Sequence, residues 1–383
     1  MSQPFLPFAL PEIGEAEIAE VVDTLRSGWI TTGPKTKRFE DDFTTFLGDP
    51  ALQSLAVNSA TAGLHLALEA CGIGPGDEVI TTTHTFTATA EVVRYLGADV
   101  RLVDIDPATL FIDPNQVEAA ITAKTRAVIP VHFGGLAADM AAIVDIARRR
   151  GLRVIEDAAH TMGASYGGRR IGAQGDLVSF SFHPNKNLTT IEGGALTFAN
   201  AAEVEHAERL RFHGIRKLPG GEMEVEEPGG KFNMPDVCAA IGLAQLARLE
   251  EFNARRRELA RRYFERLQGI PHLRLPAPDR AGHSWHLFAP LIDFAALGTT
   301  RRAFIEMMGA RGIGVGVHYQ AMHLFAAYRR LGYKPGDFPN TETIGARTLT
   351  LPLFTRMQDA DVDRVCGALR EAILQPITSN GHS

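Results

Sequence analysis

The stretch Ser179-Phe-Ser-Phe-His-Pro-Asn-Lys-Asn-Leu-Thr-Thr-Ile-Glu-Gly-Gly194 places one lysine, Lys186, in a turn between two segments that favour β-structure. Residues 176–182 predict a strand because β-favouring Leu, Val and Phe dominate there. The Pro-Asn pair predicts a turn, and the apolar run 195–199 predicts a further strand. Lys186 is therefore expected where a buried sheet ends, which is where α/β proteins bind ligands.

The position of Lys186 allows two interpretations. The other six lysines of the chain lie in polar or turn contexts that are typical of solvated surface. Lys186 alone lies between two strand-like segments, where partial desolvation can keep an amine nucleophilic. The alternative is a loop lysine that pairs with a carboxylate. The remainder of the chain favours the nucleophile.

Composition restricts the class of protein. A chain of 383 residues with 45% hydrophobic and 22% charged residues can bury a large core in two domains. Its net charge of −6 gives no reason to expect nucleic-acid binding. Three widely spaced cysteines fit a reducing cytosol and argue against a disulfide framework. With no signal-peptide pattern and no membrane-length apolar stretch, we expect a cytoplasmic protein without a membrane partner.

Strands and helices alternate through the first half of the chain. Predicted strands cover 55–57, 78–82, 100–104, 127–131 and 152–156, and predicted helices cover 15–27, 39–47, 64–70, 83–95 and 140–150. Such alternation indicates right-handed βαβ units around a mainly parallel sheet that is covered on both faces. The fold class predicted from this pattern is α/β.

The pattern changes toward the carboxyl terminus. Residues 219–230, rich in Gly and Glu, predict a mobile loop, and residues 234–264 predict a long helix that leaves the large domain. Short strands predicted at 285–291 and 314–318 alternate with helices at 301–311 and 359–374, and the tail 379–383 is expected to be disordered. We expect a large domain over 1–250 and a smaller α+β domain over 251–383.

Four different chemical groups follow predicted strands of one sheet: the carboxylate of Asp157, the amine of Lys186, the small-residue turn at Ser59–Thr61 and the ring of Phe86. Groups at the carboxyl ends of neighbouring parallel strands meet at one edge. The turn before a helix can bind a phosphate through its N–H groups, although a plain N-cap is the alternative. An amine, a carboxylate, an anion site and a flat ring together match the needs of pyridoxal phosphate.

The chain resembles the DegT/DnrJ/EryC1/StrS family of pyridoxal-phosphate sugar aminotransferases over nearly its whole length. The residues that carry the resemblance are Ser27-Gly-Trp-Ile-Thr-Thr-Gly-Pro34, Asn58-Ser-Ala-Thr61, Thr85-Phe86, Glu156-Asp-Ala-Ala-His160, Ser179-Phe-Ser-Phe-His183 with Lys186-Asn187, Glu192-Gly-Gly194, His318-Tyr319 and Leu351-Pro352. This resemblance implies fold type I, the aspartate aminotransferase type, with a seven-stranded sheet. It also implies a homodimer with shared active sites.

The resemblance implies a role for individual residues. Lys186 would bond to the cofactor aldehyde and move a proton, Asp157 would pair with the pyridinium, His160 would lie near the ring oxygen and Phe86 would stack on the ring. The expected phosphate contacts are Ser59, Ala60, Thr61 and Ser181, with Lys231 or Asn233 of the neighbouring subunit, and the expected substrate contacts are Trp29, Thr31, His183, His318 and Tyr319. Many relatives have Asn-x-Arg at Lys231-Phe-Asn233, so which of the two crosses the interface stays open.

The resemblance also implies a reaction. Relatives with histidine in place of Lys186 remove a hydroxyl, so Lys186 favours transamination. The loop that contains Trp29 and the segment 231–233 are similar to aminotransferases that make UDP-4-amino-4-deoxy-arabinose. This similarity implies transfer from glutamate to C4 of a UDP-4-keto sugar. The alternatives are a GDP- or dTDP-4-keto-6-deoxysugar, a keto-cyclitol, or a pyridoxal-phosphate-binding regulator without turnover.

Two weaker patterns are set aside. Gly312-Ile-Gly-Val-Gly316 lacks the final spacing of a dinucleotide fingerprint. The histidines at 283, 286, 318 and 323 lack companion carboxylates at ligand spacing, so we expect no metal.

Overall fold

The structure, a computed structural model, describes residues 4–278 and 282–374. Its helices are α1 (Glu15–Ser27), α2 (Pro34–Leu47), α3 (Ala60–Ala70), α4 (Ala88–Tyr95), α5 (Pro114–Ala120), α6 (Met140–Arg150), α7 (Ala201–Leu210), α8 (Asp236–Leu267), α9 (Arg301–Ala310), α10 (Ala326–Arg329), α11 (Pro339–Arg347) and α12 (Asp359–Leu374), with a 3-10 helix at Met322–Leu324. Its strands are β1 (Gln53–Val57), β2 (Glu78–Thr82), β3 (Asp99–Val103), β4 (Thr125–Ile129), β5 (Arg153–Asp157), β6 (Ser165–Tyr166), β7 (Arg169–Arg170), β8 (Leu177–Ser181), β9 (Gly194–Phe198), β10 (Ile215–Lys217), β11 (Met223–Val225), β12 (Leu273–Arg274) and β13 (Leu291–Ile292).

Seven strands form one sheet in the order β1-β9-β8-β5-β4-β2-β3. Only β9 runs against its neighbours, β1 and β8, while the other adjacent strands pair in parallel. The prediction of an α/β fold with a mainly parallel sheet is therefore confirmed. The parallel strands place their carboxyl ends on one edge, where the connecting loops carry the predicted site residues.

Helix α8 joins two of the apolar cores. Its first half contributes Leu243 and Leu249 to a core with α2 and the sheet, and its second half contributes Leu259 and Tyr263 to a core with α9 and α12. The amino-terminal segment joins the second of these cores through Leu6. The predicted domain boundary at residue 250 falls inside α8 and stays a prediction.

Three predicted elements are wrong. Part of the expected loop 219–230 pairs instead as the hairpin of β10 and β11, whose turn holds Gly220 and Gly221 at positive φ. Residues 285–291 form no continuous strand, because the N–H groups of Ser284 and Leu287 bond to the loop at 134–135. In 314–318, Gly314 bonds to Leu6, but Gly316 bonds to Thr350, so that segment also lacks one partner strand.

Other predicted elements form close to their expected positions. Helices α1, α6 and α12 have the bounds expected for 15–27, 140–150 and 359–374, whereas α2 and α3 begin earlier. Helix α2 begins at Pro34, since the fixed φ of proline suits the first helical position. Within the described residues, no helix combines the length and the apolar character that crossing a membrane requires. The tail 379–383 lies outside the described residues.

Candidate active site

A cavity of about 660 Å³ opens at the carboxyl edge of the sheet. Its walls come from the loops after β1, β2, β4, β5 and β8 and from the segment 317–320. The predicted site residues that line it are Ser59, Ala60, Thr61, Phe86, Asp157, His160, Ser181, His183, Lys186, His318 and Tyr319. The structure thus brings together groups that lie as far as 260 residues apart in sequence, from Ser59 to Tyr319.

The turn that carries Lys186 is held from both sides. The backbone N–H of Lys186 donates to the His183 carbonyl (2.8 Å) and closes the turn. The next residue, Asn187, is buried, and its Nδ2 donates to Asn253 Oδ1 and to the Ser284 carbonyl, both at 2.7 Å. These contacts fix the turn to α8, so that the Lys186 side chain can extend into the cavity.

Lys186 is a candidate nucleophile because of its surroundings. Burial lowers the pKa of its amine from 10.5 to about 8, and the charge of Asp157 partly opposes that shift. At a pKa of about 8, roughly a tenth of the amine is unprotonated at pH 7, against less than about a thousandth at the ordinary lysine pKa, and nucleophilic attack requires that form. The sequence predicted this lysine, and the structure gives the desolvation that makes it reactive.

Asp157 is the last residue of β5 and is buried beside the cavity. Its Oδ1 accepts the Ala159 N–H (3.1 Å), and its Oδ2 accepts the Thr89 hydroxyl (2.7 Å). No ion pair within 4.0 Å links the described side chains of Asp157 and Lys186, although both line the cavity. The carboxylate thus remains available to a cation that occupies the cavity.

The amino terminus of α3 is a candidate anion site. Ser59 is its N-cap and accepts the Ala62 N–H (3.1 Å), while Ala60 and Thr61 line the cavity in the first helical turn, where N–H groups have no intrahelical partner. The sheet approaches this turn closely: a Cβ on Gly194 would lie 2.7 Å from the Ala60 nitrogen. The hydroxyl of Ser181 lines the cavity next to it.

His160 and Tyr319 meet inside the cavity. The Tyr319 hydroxyl lies 3.0 Å from His160 Nε2, and the Gly134 N–H donates to His160 Nδ1 (3.4 Å). Burial, reinforced by the charge of Lys186, lowers the pKa of His160 well below its usual value, so the imidazole is neutral. Burial also raises the pKa of Tyr319, which keeps the phenol protonated.

His318 is positioned by the amino-terminal segment. Its ring stacks on Phe8 with centroids 5.4 Å apart, and its Nδ1 lies 2.8 Å from Thr350 Oγ1. Burial lowers the pKa of His318 to about 4, so it faces the cavity as a neutral group. The ring of His286 packs against that of His160 with centroids 4.5 Å apart.

Four predicted site residues lie outside the cavity of a single chain. Trp29 and Thr31 are exposed, and the Trp29 indole N–H donates to the Thr32 carbonyl (3.2 Å). Asn233 is buried and bonds to the Thr32 hydroxyl, whereas Lys231 is exposed and its Nζ lies 2.6 Å from Asn233 Oδ1. Their predicted roles as substrate or cross-subunit contacts stay predictions.

Sequence reasoning missed Thr89, which donates to Asp157. The spacing of Thr85 and Thr89 was a usable signal within the predicted helix 83–95, because residues four apart on a helix lie on one face. In the structure α4 begins at Ala88, so Thr85 lies in the loop before it. The hydroxyls of these two threonines lie 2.8 Å apart. It also missed the buried contact between His132 Nε2 and Glu156 Oε2 (2.8 Å), which supports the wall behind Asp157.

The residues of the cavity fit pyridoxal phosphate. Lys186 offers an amine of lowered pKa, Asp157 a carboxylate that forms no ion pair with that amine, and the α3 turn a set of N–H groups. Phe86 is 59% exposed, and its ring is therefore free to cover a flat ligand. Glycine at 194 permits the close backbone approach that shapes the anion site.

Comparisons with known proteins agree with this geometry. The model of the DegT/DnrJ/EryC1/StrS aminotransferase family matches residues 11–370. The spore coat polysaccharide biosynthesis protein SpsC of Bacillus subtilis (strain 168) is 46% identical over 380 residues, which cover 96% of this chain and 97% of SpsC.

Solved structures show the same fold. The PLP-form of Spr1654 from Streptococcus pneumoniae, a candidate sugar aminotransferase, superimposes with a TM-score of 0.90 at 34% identity, covering 96% of this chain and 98% of that one. DesI, solved in the presence of its TDP-sugar product, has a TM-score of 0.88 at 33% identity, covering 98% of this chain and 94% of that one. The predicted fold type I architecture is confirmed.

Proposed function

The chain belongs to the DegT/DnrJ/EryC1/StrS aminotransferase family, and we propose that it moves the amino group of glutamate to a keto group of a nucleotide-linked sugar. The protein is a pyridoxal-phosphate-dependent aminotransferase. The observation that carries the proposal is that Lys186, Asp157 and the amino terminus of α3 line the same cavity. The predicted enzyme class and cofactor are confirmed, and the regulator without turnover is not favoured.

The cavity residues have separable tasks. When bound, the cofactor supplies an aldehyde and a ring that withdraws electrons. Lys186 can accept and return a proton at Nζ near neutral pH because its pKa is about 8. Asp157 would hold its negative charge toward the ring nitrogen, and the N–H groups at Ala60 and Thr61 would bind the phosphate. His160 and Tyr319 are both uncharged, so they can form hydrogen bonds in the cavity without attracting the phosphate away from the α3 turn as a cation would.

The proposal also assigns the acceptor sugar and the nucleotide to which it is linked. We assign the acceptor as a UDP-linked 4-keto sugar, which supports amino-sugar synthesis for a surface polysaccharide or lipid A. The name of SpsC supports a polysaccharide role, while the TDP-sugar product of DesI favours the dTDP-linked alternative. A cytoplasmic location stays a prediction.

We further propose a homodimer in which each chain completes the site of its partner. Two large apolar side chains are left exposed for a partner to cover: Ile191, next to the cavity-lining Glu192, is 51% exposed, and Trp29, outside the cavity, is 56% exposed. Lys231 is exposed and its Nζ has one hydrogen-bond partner among the described residues, Asn233 Oδ1, whereas Asn233 is buried and bonds both to Lys231 and to Thr32. Lys231 is therefore the better candidate to reach the phosphate of the partner's site.

A panel of acceptors tests the substrate. The enzyme would first be converted by glutamate to its aminated form, then mixed separately with UDP-, dTDP- and GDP-linked 4-keto sugars and a keto-cyclitol. We expect the visible cofactor band to return fastest with the UDP-linked sugar, and mass spectrometry to show an amino group at C4. A faster return with the dTDP-linked sugar would replace the UDP assignment, and a return with none would reject a nucleotide-sugar acceptor.

A further inference from the structure

One oxygen of the Asp157 carboxylate accepts a hydrogen bond from Thr89 of α4, and Thr89 in turn contacts Thr85 in the loop before that helix. Thr89 is fully buried, and its Oγ1 lies 2.7 Å from Asp157 Oδ2. Thr85 is also buried, and its Oγ1 lies 2.8 Å from that of Thr89. Thr89 itself does not line the cavity and so cannot be a substrate contact.

The direction of these hydrogen bonds follows from their chemistry. An ionised carboxylate only accepts, so Thr89 is the donor in its contact with Asp157. The Phe86 carbonyl is a second acceptor for the same hydroxyl, but it lies farther away, at 3.1 Å against 2.7 Å for Asp157. Thr85 must then be the donor in its contact with Thr89. The shortest contacts thus form a chain of donation from Thr85 to Thr89 to Asp157.

The hydrogen bond from Thr89 to Asp157 opposes a competing arrangement, an ion pair between Asp157 and Lys186. Asp157 and Lys186 carry opposite charges beside the same cavity, and their attraction already opposes the fall in the lysine pKa. With the Ala159 N–H on Oδ1 and Thr89 on Oδ2, neither oxygen can turn toward Lys186 without breaking a buried hydrogen bond. A bond from a neutral donor to a charged group costs more to break than one between neutral groups.

We propose that Thr89, whose hydroxyl also contacts Thr85, is a positioning residue that keeps the Asp157 carboxylate facing the cofactor ring and separate from Lys186. This inference rests on the proposed function, because it assigns Asp157 to the ring nitrogen. Without Thr89, the carboxylate turns to the lysine, stabilises its charged form and leaves the ring without its partner.

Three variants test the inference. Thr89→Val keeps the branched shape and removes the hydroxyl, and Thr89→Ser keeps the hydroxyl. Thr81→Val is the matched control, because Thr81 is a buried threonine of β2 whose hydroxyl donates to the Ile129 carbonyl (2.8 Å) away from the cavity. Each would be measured for thermal unfolding without cofactor, affinity for pyridoxal phosphate, the pH midpoint of the visible band, and kcat and KM for glutamate.

We expect Thr89→Val to weaken cofactor affinity and lower kcat by about 10- to 100-fold, the loss of one hydrogen bond to a charged group, with KM for glutamate nearly unchanged. The midpoint of the visible band should rise by about one pH unit, because Asp157 can now approach the lysine nitrogen. Thr89→Ser should restore these values to within about 3-fold, the residual cost of a lost methyl group. Thr81→Val should reproduce only the loss of thermal stability.

A Thr89→Val protein with unchanged affinity and midpoint would overturn the inference, as would equal losses in Thr81→Val. Failure of the proposed function gives a different pattern. In that case the wild-type protein itself would show no visible band with pyridoxal phosphate, or a band that glutamate does not bleach.

Discussion

The Tyr319 hydroxyl lies 3.0 Å from His160 Nε2 and links the segment after α9 to the loop after β5 inside the cavity. Because the Gly134 N–H donates to His160 Nδ1, the histidine hydrogen is on Nε2 and the histidine donates to Tyr319. The hydrogen of the phenol is then free to donate into the cavity. Sequence reasoning placed both residues at the site, but this direction of donation follows only from the structure.

Tyr319→Phe removes that donor and keeps the ring. We expect kcat/KM for the keto sugar to fall about 10-fold, the value of one neutral hydrogen bond, while affinity for pyridoxal phosphate stays within error. Steady-state kinetics with the sugar varied would measure the change. Tyr333→Phe is the matched control, since the Tyr333 hydroxyl bonds to the β3 backbone away from the cavity. Equal effects of the two variants would contradict a specific role for Tyr319.

The lowered pKa of Lys186 predicts a pH dependence of stability. Its amine has a pKa of about 8 in the folded protein and of 10.5 as a model group, so the unfolded chain binds more protons between these values. Burial of the charged amine therefore reduces the free energy of unfolding of the cofactor-free protein by its full amount below pH 8. This reduction is lost as pH rises toward 10.5.

Lys186→Met removes the cost of burying a charged amine, because methionine carries no charge. In denaturant titrations without cofactor, the variant should be more stable than the wild type at neutral pH, and the difference should shrink toward pH 10.5. Lys217→Met, at an exposed hairpin residue, serves as control. If the free energies of unfolding of Lys186→Met and wild type differ by the same amount at every pH, the pKa of the Lys186 amine is not lowered by burial.

Gly194→Ala tests the close approach of the sheet to the anion site. The added Cβ would lie 2.5 Å from the Phe180 carbonyl oxygen and 2.7 Å from the Ala60 nitrogen. Since both contacts are backbone, we expect unfolding to become easier by about 1–3 kcal/mol. Cofactor affinity should fall as well, because the α3 turn must move.

Gly309→Ala is the comparison for that variant. It lies in α9, and an added Cβ meets nothing within 4 Å. We expect it to stabilise the protein by about 0.5–1 kcal/mol, the helical advantage of alanine, and to leave cofactor affinity unchanged. Urea titration and absorbance titration would compare the two, and equal cofactor affinity in both would remove the role given to Gly194.

Mixed dimers test the crossing of Lys231. Lys186→Ala and Lys231→Ala subunits, refolded together in equal amounts, should recover about a quarter of the wild-type activity, since half of the dimers are hybrids with one intact site each. The recovery requires that Lys186 and Lys231 of one site come from different chains. A mixture with only the average activity of the two parent variants would mean that they come from the same chain.

The sequence predicted those features of the site and fold that have a local pattern of residues. Lys186 and Asp157 were predictable because each follows an apolar strand, and neighbouring strands of a parallel sheet share an edge. Helix α6 was predicted at its observed bounds, since its apolar positions repeat with helical spacing and Gly151 ends it at positive φ.

The remaining features depend on contacts that sequence does not encode locally. Residues 285–291 have strand-like composition, but the Leu287 N–H bonds to the carbonyl of Gly134 in a distant loop. The β10–β11 hairpin was missed although Gly220-Gly221 is a recognised turn signal, because its strands are only three residues long and too short to show a repeating pattern. The donation from Thr89 to Asp157 joins residues 68 apart, so only the folded sheet shows it.

The most direct test of the central claim is the visible absorption spectrum of the purified protein with pyridoxal phosphate, before and after glutamate, beside that of Lys186→Ala. We predict a yellow band in the wild type that bleaches with glutamate, and no such conversion in the variant, because Lys186 provides the amine and the proton transfer. A wild-type spectrum that glutamate leaves unchanged, or a variant that bleaches at the wild-type rate, would contradict the assignment of Lys186.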